Sequence, residues 1–353
     1  MRFGRNPVGP GSRPLIVAEL SANHNGSLDR ALAVVDAVAQ AGAQVLKLQT
    51  YTADTMTLDV DRPEFRIGAE GTLWDGRTLY DLYQKGSTPW EWHEAIAKRC
   101  RQHELDWFSS PFDASAVEFL EELDPVAYKI ASFEIVDLPL IGAVARTGKP
   151  VVISTGMATL EEIDAAVRAA REAGCEDLIL LQCTSTYPAS PANSYLATIP
   201  HLARTFDCLV GLSDHTLGIG VPIAAVGLGA VLIEKHVTLD RSDGGVDAAF
   251  SLEPEELREL VEESERAWQA VGEVHYGPLP AERSSLMFRR SLWVTADLRA
   301  GDELTSENLR PIRPANGLAP RYLGDLLGRR VGRDVARGTP ASWDLLAPNG
   351  RDD

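Results

Sequence analysis

The first 275 residues alternate between short apolar runs and longer segments in which apolar residues recur every three or four positions. Short runs rich in β-branched residues are typical of buried strands, and the longer spacing is typical of amphipathic helices. The predicted strands are, in chain order, 14–20, 44–50, 105–112, 127–132, 150–156, 178–185, 209–216 and 231–237.

The segments between these strands carry helix signals. Ser27 precedes one such segment as a predicted N-cap, and Gly42 ends it, because serine oxygens satisfy the first free amides of a helix and glycine accepts a left-handed C-terminus. After the last predicted strand, the same apolar spacing runs from Leu257 to Val271. Each predicted strand is therefore followed by a predicted helix.

Eight strand–helix units favour a parallel sheet closed into a (β/α)8 barrel, so the predicted fold class is α/β, of the TIM-barrel type. The alternative is an open, doubly wound sheet. That fold favours a glycine-rich phosphate loop after its first strand, and the NHNGS that follows AELSA is a poor match to G-x-G-x-x-G.

The domain organisation follows from where this alternation stops. We expect the barrel in residues 1–275, a linker in 276–288 and a small β-rich domain in 289–353. One connection inside the barrel is long, because residues 51–90 separate the second strand from a helix near Trp90. Connections of this length are commonly lids or specificity elements.

Composition and charge narrow the function. The formal net charge of −17 argues against nucleic acid or an anionic membrane as a partner. The charge is uneven, because residues 289–353 contain 11 arginines and 9 acidic residues, which leaves −19 on the rest. No apolar run is long enough for a transmembrane helix, and the basic N-terminus lacks the apolar stretch of a secretory signal.

The cysteines indicate the cellular compartment. Four cysteines without C-x-x-C spacing predict reduced thiols in a cytoplasmic protein, with neither disulfides nor zinc.

The candidate chemistry lies where the predicted strands end. In a parallel barrel, the carboxyl ends of the strands form one mouth, where active sites are built. Polar residues there are Glu19, Lys47, Gln49, Ser109, Ser110, Lys129, Ser132, Ser154, Gln182, Thr184, Tyr187, Ser213, His215, Glu234 and His236. Any one of these could simply meet solvent or cap a helix, but their presence at every strand favours a site.

The segment VLIEKHVTLD, residues 231–240, shows the pattern most clearly. Alternation places Glu234 and His236 on one face, and we expect Lys235 to point outward and pair among the surrounding helices. His215 and His236 on neighbouring strands form a plausible half of a divalent metal site, although a hydrogen-bonded structural histidine is the commoner case. The lysine and serine side chains at the other strand ends are of the kind that binds phosphate and carboxylate groups. A rival interpretation is that Lys47 or Lys129 forms a Schiff base with the substrate.

Several motifs resemble the sialic acid synthase family. These are AELSANHNGSLDRA, GAQVLKLQT, FSSPFDASAVEFL, YKIAS-E, ISTGMAT, LLQCTSTYP, GLSDHT-G and IEKHVTLD, and the later RPANGLAPRYL and LGRRV resemble its antifreeze-like (SAF) domain. The resemblance covers nearly the whole chain. It implies condensation of phosphoenolpyruvate with an N-acylated, hexosamine-derived aldose to give a nine-carbon 2-keto acid and phosphate.

The resemblance also implies roles for individual residues. His215 and His236 would hold Mn²⁺ or Mg²⁺, and Glu234 would support the metal and a reacting water. Arg313 would enter the barrel of the partner subunit in a homodimer with swapped SAF domains, and Ser185 stands where the family often has asparagine. Positions matching the phosphoenolpyruvate site are Lys47, Ser109 or Ser110, Lys129, Ser132, Ser154 and Ser213. Positions matching the sugar and water site are Glu19, Gln49, Tyr187 and Asp247.

The mechanism implied is Lewis-acid activation of the open-chain aldehyde, attack by C3 of phosphoenolpyruvate, and addition of a water positioned by Glu19 or Glu234. Phosphate then leaves by C–O cleavage. A metal-independent Schiff-base aldolase and a non-catalytic sugar-binding protein are the rival functions.

The segment 76–93, GRTLYDLYQKGSTPWEWH, resembles the pseudaminic acid branch of the family. The implied sugar is 2,4-diacetamido-2,4,6-trideoxy-L-altrose, with N-acetylneuraminate or legionaminate synthesis as alternatives. Trp90 and Trp92 in this segment are expected to pack a helix onto the barrel instead of contacting the sugar.

Overall fold

The computed structural model describes residues 1–68 and 76–348. Two compact units divide the chain, Met1–Gly272 and Glu273–Asp353. Part of the predicted specificity connection, residues 69–75, and the end of the predicted C-terminal domain, residues 349–353, lie outside the described residues.

The chain begins with a short hairpin, β1 (Arg2–Phe3) and β2 (Asn6–Pro7). Phe3 is fully buried and meets the ring of Phe108 edge-on, with centroids 5.1 Å apart. Gly4 between the two strands has a φ of +59°, and a Cβ there would lie 2.2 Å from Asp106 Oδ2, so only glycine fits this approach. The carboxylate of Asp106 accepts the amide of Arg5 at 2.7 Å, which ties the hairpin to a barrel strand.

Within the described residues, a parallel barrel of eight strands closes in chain order, with the last strand paired to both the first and the seventh. The predicted (β/α)8 barrel is therefore confirmed. Its strands are β3 (Leu15–Glu19), β4 (Val45–Thr50), β5 (Asp106–Pro111), β6 (Tyr128–Ile130), β7 (Val151–Ser154), β8 (Leu178–Cys183), β9 (Leu209–Asp214) and β10 (Leu232–His236).

Helices cover the outside of the barrel, and the main apolar core lies between them and the strands. No helix of the described residues is long and apolar enough to span a membrane. The helices of this unit are α1 (Leu28–Ala41), α2 (Ala53–Met56), α3 (Leu79–Gly86), α4 (His93–Gln102), α5 (Ala114–Glu121), α6 (Leu138–Ala145), α7 (Leu160–Glu172), α8 (Thr198–Phe206), α9 (Gly220–Gly227) and α10 (Pro254–Val271).

Helix α1 shows how local sequence sets these boundaries. The Ser27 hydroxyl accepts the amide of Arg30 at 3.2 Å, and Gly42 ends the helix at a φ of 86°. Both caps were predicted. Between them, Ala31, Val35 and Val38 are buried against the barrel, as the spacing of an amphipathic helix requires.

The long connection after β4 contains structure of its own. It forms α2 and α3 before a short 3-10 turn, Trp90–Trp92, leads into α4. Trp90 stacks on Phe119, with ring centroids 4.7 Å apart, and Trp92 packs against the core. The two tryptophans therefore hold this region onto the barrel, as expected.

The C-terminal unit has its own small core. Strands β11 (Ser291–Val294) and β12 (Leu309–Ile312) pair antiparallel, and α11 (Leu323–Leu326) follows. Their apolar side chains form a cluster that includes Leu292, Val331 and Leu345. Residues Pro280–Phe288, which the sequence suggested as linker, form an extended 3-10 segment within this unit.

Candidate active site

A cavity of about 470 Å³ opens at the carboxyl ends of the barrel strands. Its polar floor is formed by strand residues or residues that directly follow strands: Glu19, Lys47, Gln49, Ser110, Lys129, Ser154, Ser213, His215, Glu234 and His236. Its apolar wall comes from the long connection and the end of β5: Tyr51, Met56, Ile67, Leu79, Leu82, Tyr83 and Phe112.

Lys47 lies at the centre of an ion network in the polar floor. Its Nζ is 2.8 Å from Glu19 Oε2 and 2.9 Å from Glu234 Oε1, and all three side chains are at most 3% exposed. Gln49 donates to the other oxygen of Glu19 at 2.6 Å. Unpaired buried charges are costly, so this network fixes the three side chains in one arrangement.

The network keeps its carboxylates ionised. Burial raises the pKa of Glu234, but the charges of Lys129 and Lys47 outweigh this and lower the pKa to about 2. Burial also opposes ionisation of Glu19, whose pKa is lowered nonetheless by Lys47 and then His236. For Lys47, burial lowers the pKa, but Glu19 and Glu234 raise it above its ordinary value.

A second set of polar groups suits an anion. Lys129 Nζ lies 3.9 Å from Glu234 Oε1, and burial lowers the pKa of Lys129 below its ordinary value, although Glu234 acts in the opposite sense. The hydroxyls of Ser110 and Ser154 are buried and have no hydrogen-bond partner among the described residues. Buried polar atoms normally have partners, so these hydroxyls are available to donate to oxygen acceptors of a ligand in the cavity.

His215 and His236 come together, with ring centroids 5.3 Å apart. His215 Nδ1 lies 3.0 Å from the carbonyl of Thr184, which can only accept, so Nε2 is the acceptor nitrogen of the neutral ring. His236 Nδ1 is buried without a hydrogen-bond partner among the described residues. It lies 3.8 Å from Asp247 Oδ2.

Imidazoles together with carboxylates are a ligand set for divalent cations, and the unpartnered nitrogen of His236 fits such an ion. Among residues 1–68 and 76–348, no group of three or more His, Cys, Asp or Glu side chains is arranged to hold a metal ion by itself. Catalytic metal sites commonly keep positions open for water or substrate.

Tyr187 and Asp247, which the resemblance assigns to the sugar and water site, also line the cavity. The Tyr187 ring lies 4.5 Å from that of His215, centroid to centroid. Asp247 Oδ2 accepts the hydroxyl of Ser21 at 2.5 Å. Ser132 lines the cavity as well.

Three predicted site residues lie elsewhere. Ser109 does not line the cavity; its hydroxyl lies 2.7 Å from that of Thr50, which in turn lies 2.8 Å from His93 Nε2 of α4. The two candidate serines are thereby distinguished, since Ser110 lines the cavity. Ser185 is half-buried outside the cavity lining, and Arg313 is an exposed residue of the C-terminal unit, directly after β12.

Gly156, in the ISTGMAT motif, permits the close approach of two side chains beside the cavity. A Cβ at Gly156 would lie 2.2 Å from Ser185 Oγ and 2.6 Å from Ser132 Oγ. A side chain at this position would therefore displace Ser132 from the cavity lining.

Sequence reasoning missed other cavity residues. Glu134 follows β6 in the YKIAS-E motif, and burial raises its pKa to about 7, although Lys129 opposes the shift. Cys183 ends β8; burial raises the pKa of its thiol, but a hydrogen bond with His215 brings it down to about 7. Both residues stand inside motifs that carried the resemblance, so position in a motif was the available signal.

The apolar wall was the least predictable part. Tyr51 meets the rings of Tyr83 and Phe112 edge-on, with centroids 5.8 Å and 5.1 Å away. Leu82 is buried beside them on α3. The wall therefore offers aromatic and aliphatic surface to the same cavity that the charged floor lines.

The closed barrel, with buried lysines, serine hydroxyls and a histidine pair at the carboxyl ends of its strands, has the architecture of a barrel enzyme whose site lies at that mouth. Residues 34–276 match the NeuB family, and residues 289–347 match the SAF domain. The chain belongs to the NeuB family.

Similar proteins agree with this assignment. The chain is 42% identical to the pseudaminic acid synthase of Campylobacter jejuni over 92% of this chain and 94% of that protein. It is 34% identical to the N,N'-diacetyllegionaminic acid synthase of Legionella pneumophila over 97% of each. The crystal structure of an N-acetylneuraminic acid synthetase from Leptospira borgpetersenii, in complex with citrate, is 30% identical, with a TM-score of 0.72 over 81% of this chain and 94% of that one.

Proposed function

We propose that this protein is a pseudaminic acid synthase. It condenses phosphoenolpyruvate with 2,4-diacetamido-2,4,6-trideoxy-L-altrose and water to give a nine-carbon 2-keto sugar acid and inorganic phosphate. The observation that carries the proposal is the polar floor, where two buried lysines and two unpartnered buried serine hydroxyls converge beside a histidine pair. The 42% identity to a pseudaminic acid synthase supports it.

Phosphoenolpyruvate has two anionic groups, and the floor has matching donors. Lys129 and Lys47 offset the charges of its carboxylate and phosphate, and Ser110 and Ser154 donate to their oxygens. Ser132 lines the cavity beside them, and Ser213 donates to Glu234 Oε1 at 2.9 Å, which helps to hold that carboxylate in place. These groups hold C3 of phosphoenolpyruvate against the aldehyde carbon of the sugar, so that a bond forms between two bound reactants.

Glu234 is better suited than Glu19 to position the reacting water. Both oxygens of Glu19 are engaged, by Gln49 and by Lys47. Glu234 Oε2 is buried and has no hydrogen-bond partner among the described residues. Because the pKa of Glu234 is about 2, this carboxylate is a weak base, so it orients the water toward C2 instead of fully removing its proton.

A divalent cation, Mn²⁺ or Mg²⁺, held by His215 and His236 would polarise the aldehyde oxygen as a Lewis acid. Asp247 lies beside His236 and is hydrogen-bonded to Ser21. Its carboxylate lines the cavity beside the histidine pair, where it accepts a sugar hydroxyl. Tyr187 packs against His215 and limits water at this side of the cavity.

The apolar wall supports a deoxygenated, N-acylated sugar. The proposed substrate carries a methyl group at C6 and two acetamido methyl groups. Tyr51, Leu82 and Phe112 offer these groups surface of matching polarity, whereas a hydroxyl buried there would lose its hydrogen bonds to water.

The decisive experiment measures phosphate release from phosphoenolpyruvate with a panel of sugars. Turnover should occur with the diacetamido-trideoxy-altrose, should stop with EDTA and should return with Mn²⁺. Absence of release with every N-acylated aldose would contradict the synthase. Turnover with N-acetylmannosamine alone would instead assign the chain to N-acetylneuraminate synthesis, and covalent trapping by borohydride without metal would support a Schiff-base aldolase.

We further propose a cytoplasmic homodimer in which the SAF domain of each subunit places Arg313 at the barrel mouth of its partner. Free cysteines at all four positions are typical of a reducing compartment. The excess of arginine in the SAF domain and the acidic remainder of the chain favour such an arrangement electrostatically.

Mixed dimers test the swapped arrangement. Arg313→Ala and His236→Ala should each abolish turnover. After the two variants are unfolded and refolded together, activity should return, because one subunit then supplies an intact barrel and the other supplies Arg313. No recovery, with dimers present by light scattering, would contradict the exchange; Arg310→Ala, on the preceding strand, serves as the control and should remain active.

A further inference from the structure

The outward face of β10 carries a lysine that the cavity chemistry does not use. Lys235 stands between Glu234 and His236 and points away from the cavity, where it is 0% exposed. Its Nζ lies 2.8 Å from Asp214 Oδ2, whose side chain is 3% exposed. The two residues are directly opposite each other on β10 and β9. The expectation that Lys235 pairs with the helices is thus wrong, because its partner is on the adjacent strand.

This ion pair has a further partner, Thr216. Lys235 Nζ donates to the carbonyl of Thr216 at 2.5 Å. The amide of Thr216 donates to Asp214 Oδ1 at 3.2 Å, and its hydroxyl donates to Asp214 Oδ2 at 2.9 Å. Three hydrogen bonds therefore converge on a single residue and close a tight turn over residues 214–216.

His215 is the residue that this turn presents to the cavity. Its ring is held by the carbonyl of Thr184, and its own carbonyl accepts the amide of Ala189 at 3.0 Å. The backbone on both sides of His215 is fixed by Asp214 and Thr216. The backbone that carries the imidazole is thus linked, through Asp214 and Thr216, to Lys235 on the opposite face of the sheet.

Packing alone does not account for a buried ion pair at this position. Replacing such a pair with apolar residues of similar volume is often neutral or stabilising, and the neighbouring outward residue, Ile233, is an ordinary core residue. What the pair adds is a defined set of hydrogen bonds to the turn. Groups of this kind around metal-binding histidines set the ring orientation and affect metal affinity.

We propose that Lys235 and Asp214 are positioning residues that orient His215 toward the divalent cation. This inference rests on the proposed function, because it requires that His215 binds the cation. The same strand then serves the site from both faces: Glu234 and His236 line the cavity, and Lys235 fixes the turn that completes it.

The test measures Mn²⁺ binding to the full-length protein by titration calorimetry, without substrates. The double variant Lys235→Met, Asp214→Leu removes both charges of the ion pair, so neither charge stays buried without its partner. We expect its dissociation constant for Mn²⁺ to rise by about ten- to a hundredfold. Thr216→Val, which loses only the hydroxyl bond, should show a smaller increase, and Thr216→Ser should restore wild-type affinity.

Thr155→Val is the matched control. Thr155 is also a buried threonine directly after a barrel strand, and its hydroxyl donates to the carbonyl of Leu181 at 3.0 Å. Its replacement should change thermal stability about as much as Thr216→Val but leave the Mn²⁺ affinity unchanged.

The outcomes separate the two proposals. Wild-type Mn²⁺ affinity in both Thr216→Val and the double variant would overturn the positioning role and leave the metal site intact. If the double variant does not fold, the two Thr216 variants provide the test. Equal Mn²⁺ affinities of Thr216→Val and Thr216→Ser would then overturn the positioning role. Absence of Mn²⁺ or Mg²⁺ binding by the wild-type protein would overturn the metal site and, with it, the positioning role.

Discussion

The polar floor and the apolar wall of the cavity are built in opposite ways. The floor consists of strand residues whose charges are buried and paired, such as Lys47 between Glu19 and Glu234. The wall consists largely of residues from one long connection, which are uncharged and, apart from Tyr51 and Leu82, half-buried. Both contribute to one cavity, but only the floor is part of the barrel sheet.

This difference assigns the two parts different tasks. Strands of a closed barrel cannot move independently, so groups on them hold a fixed geometry for the reaction. Connections between elements tolerate changes in sequence and length more readily. The floor therefore suits the step common to every substrate, and the wall suits the choice of sugar. The four predictions that follow test this division, from the largest expected effect to the smallest.

Replacing Lys47, the cation at the centre of the buried ion network, should have the largest effect. Lys47→Met leaves Glu19 and Glu234 buried beside each other without a cation between them, which should lower the free energy of unfolding by about 3–5 kcal/mol and abolish turnover. Urea unfolding and phosphate release measure the two effects. Lys149→Met is the control, because Lys149 pairs with Glu121 and Asp124 near the surface, and its loss should cost at most about 1 kcal/mol.

Lys129 should matter for the reaction more than for the fold. Lys129→Gln keeps a polar donor but removes the charge that, in the proposed mechanism, offsets the departing phosphate, so kcat should fall by about 10²–10³. Steady-state kinetics with saturating sugar measure the change. An unchanged kcat with a raised KM for phosphoenolpyruvate would assign Lys129 to binding alone.

The wall should control selectivity and leave the basic reaction intact. Leu82→Asn places an amide among Tyr51, Tyr83 and Phe112, and it should lower kcat/KM for the 6-deoxy sugar relative to its 6-hydroxy analogue by about ten- to a hundredfold. Leu160→Asn, at a residue that is 54% exposed on α7, should change neither value. An unchanged ratio in a folded Leu82→Asn protein would remove the wall from substrate recognition.

The smallest effect is a pH dependence of stability at Glu134. Burial raises the pKa of Glu134 from 4.5 to about 7 in the folded protein. A raised pKa means that the folded state binds the proton more tightly than the unfolded state does. Protonated Glu134 therefore contributes its full stabilisation below pH 4.5, and this stabilisation is lost as the pH rises to 7. The Glu134→Gln protein has no carboxyl group at this position, so its stability does not fall in this way as the pH rises. Its Tm relative to wild type should therefore increase between pH 5 and pH 8, and Glu118→Gln, at an exposed position of α5, is the control for the loss of a glutamate.

Much of the fold could be predicted because its signals are local. The apolar runs and the helix spacing depend on residues a few positions apart, and so do the caps at Ser27 and Gly42. The floor was predictable for a related reason. In a parallel barrel every strand ends at the same mouth, so Lys47, His215, Glu234 and His236 had to meet once the strands were identified.

The tertiary structure decided what depends on distant contacts. Ser109 and Ser110 are equally polar, and only their orientation on β5 directs one to Thr50 and the other into the cavity. The partner of Lys235 depends on which strand lies beside β10.

The sequence by itself thus determined the barrel and most of the polar residues of its mouth, because strand order and side-chain alternation follow from local patterns. Only the tertiary structure decided which groups touch. Ser21 and Asp247 are separated by 226 positions but share a 2.5 Å hydrogen bond, and the wall forms where a long connection packs back against the barrel. The physical reason is that hydrogen bonds and packing act over a few ångströms in space, whatever the distance along the chain.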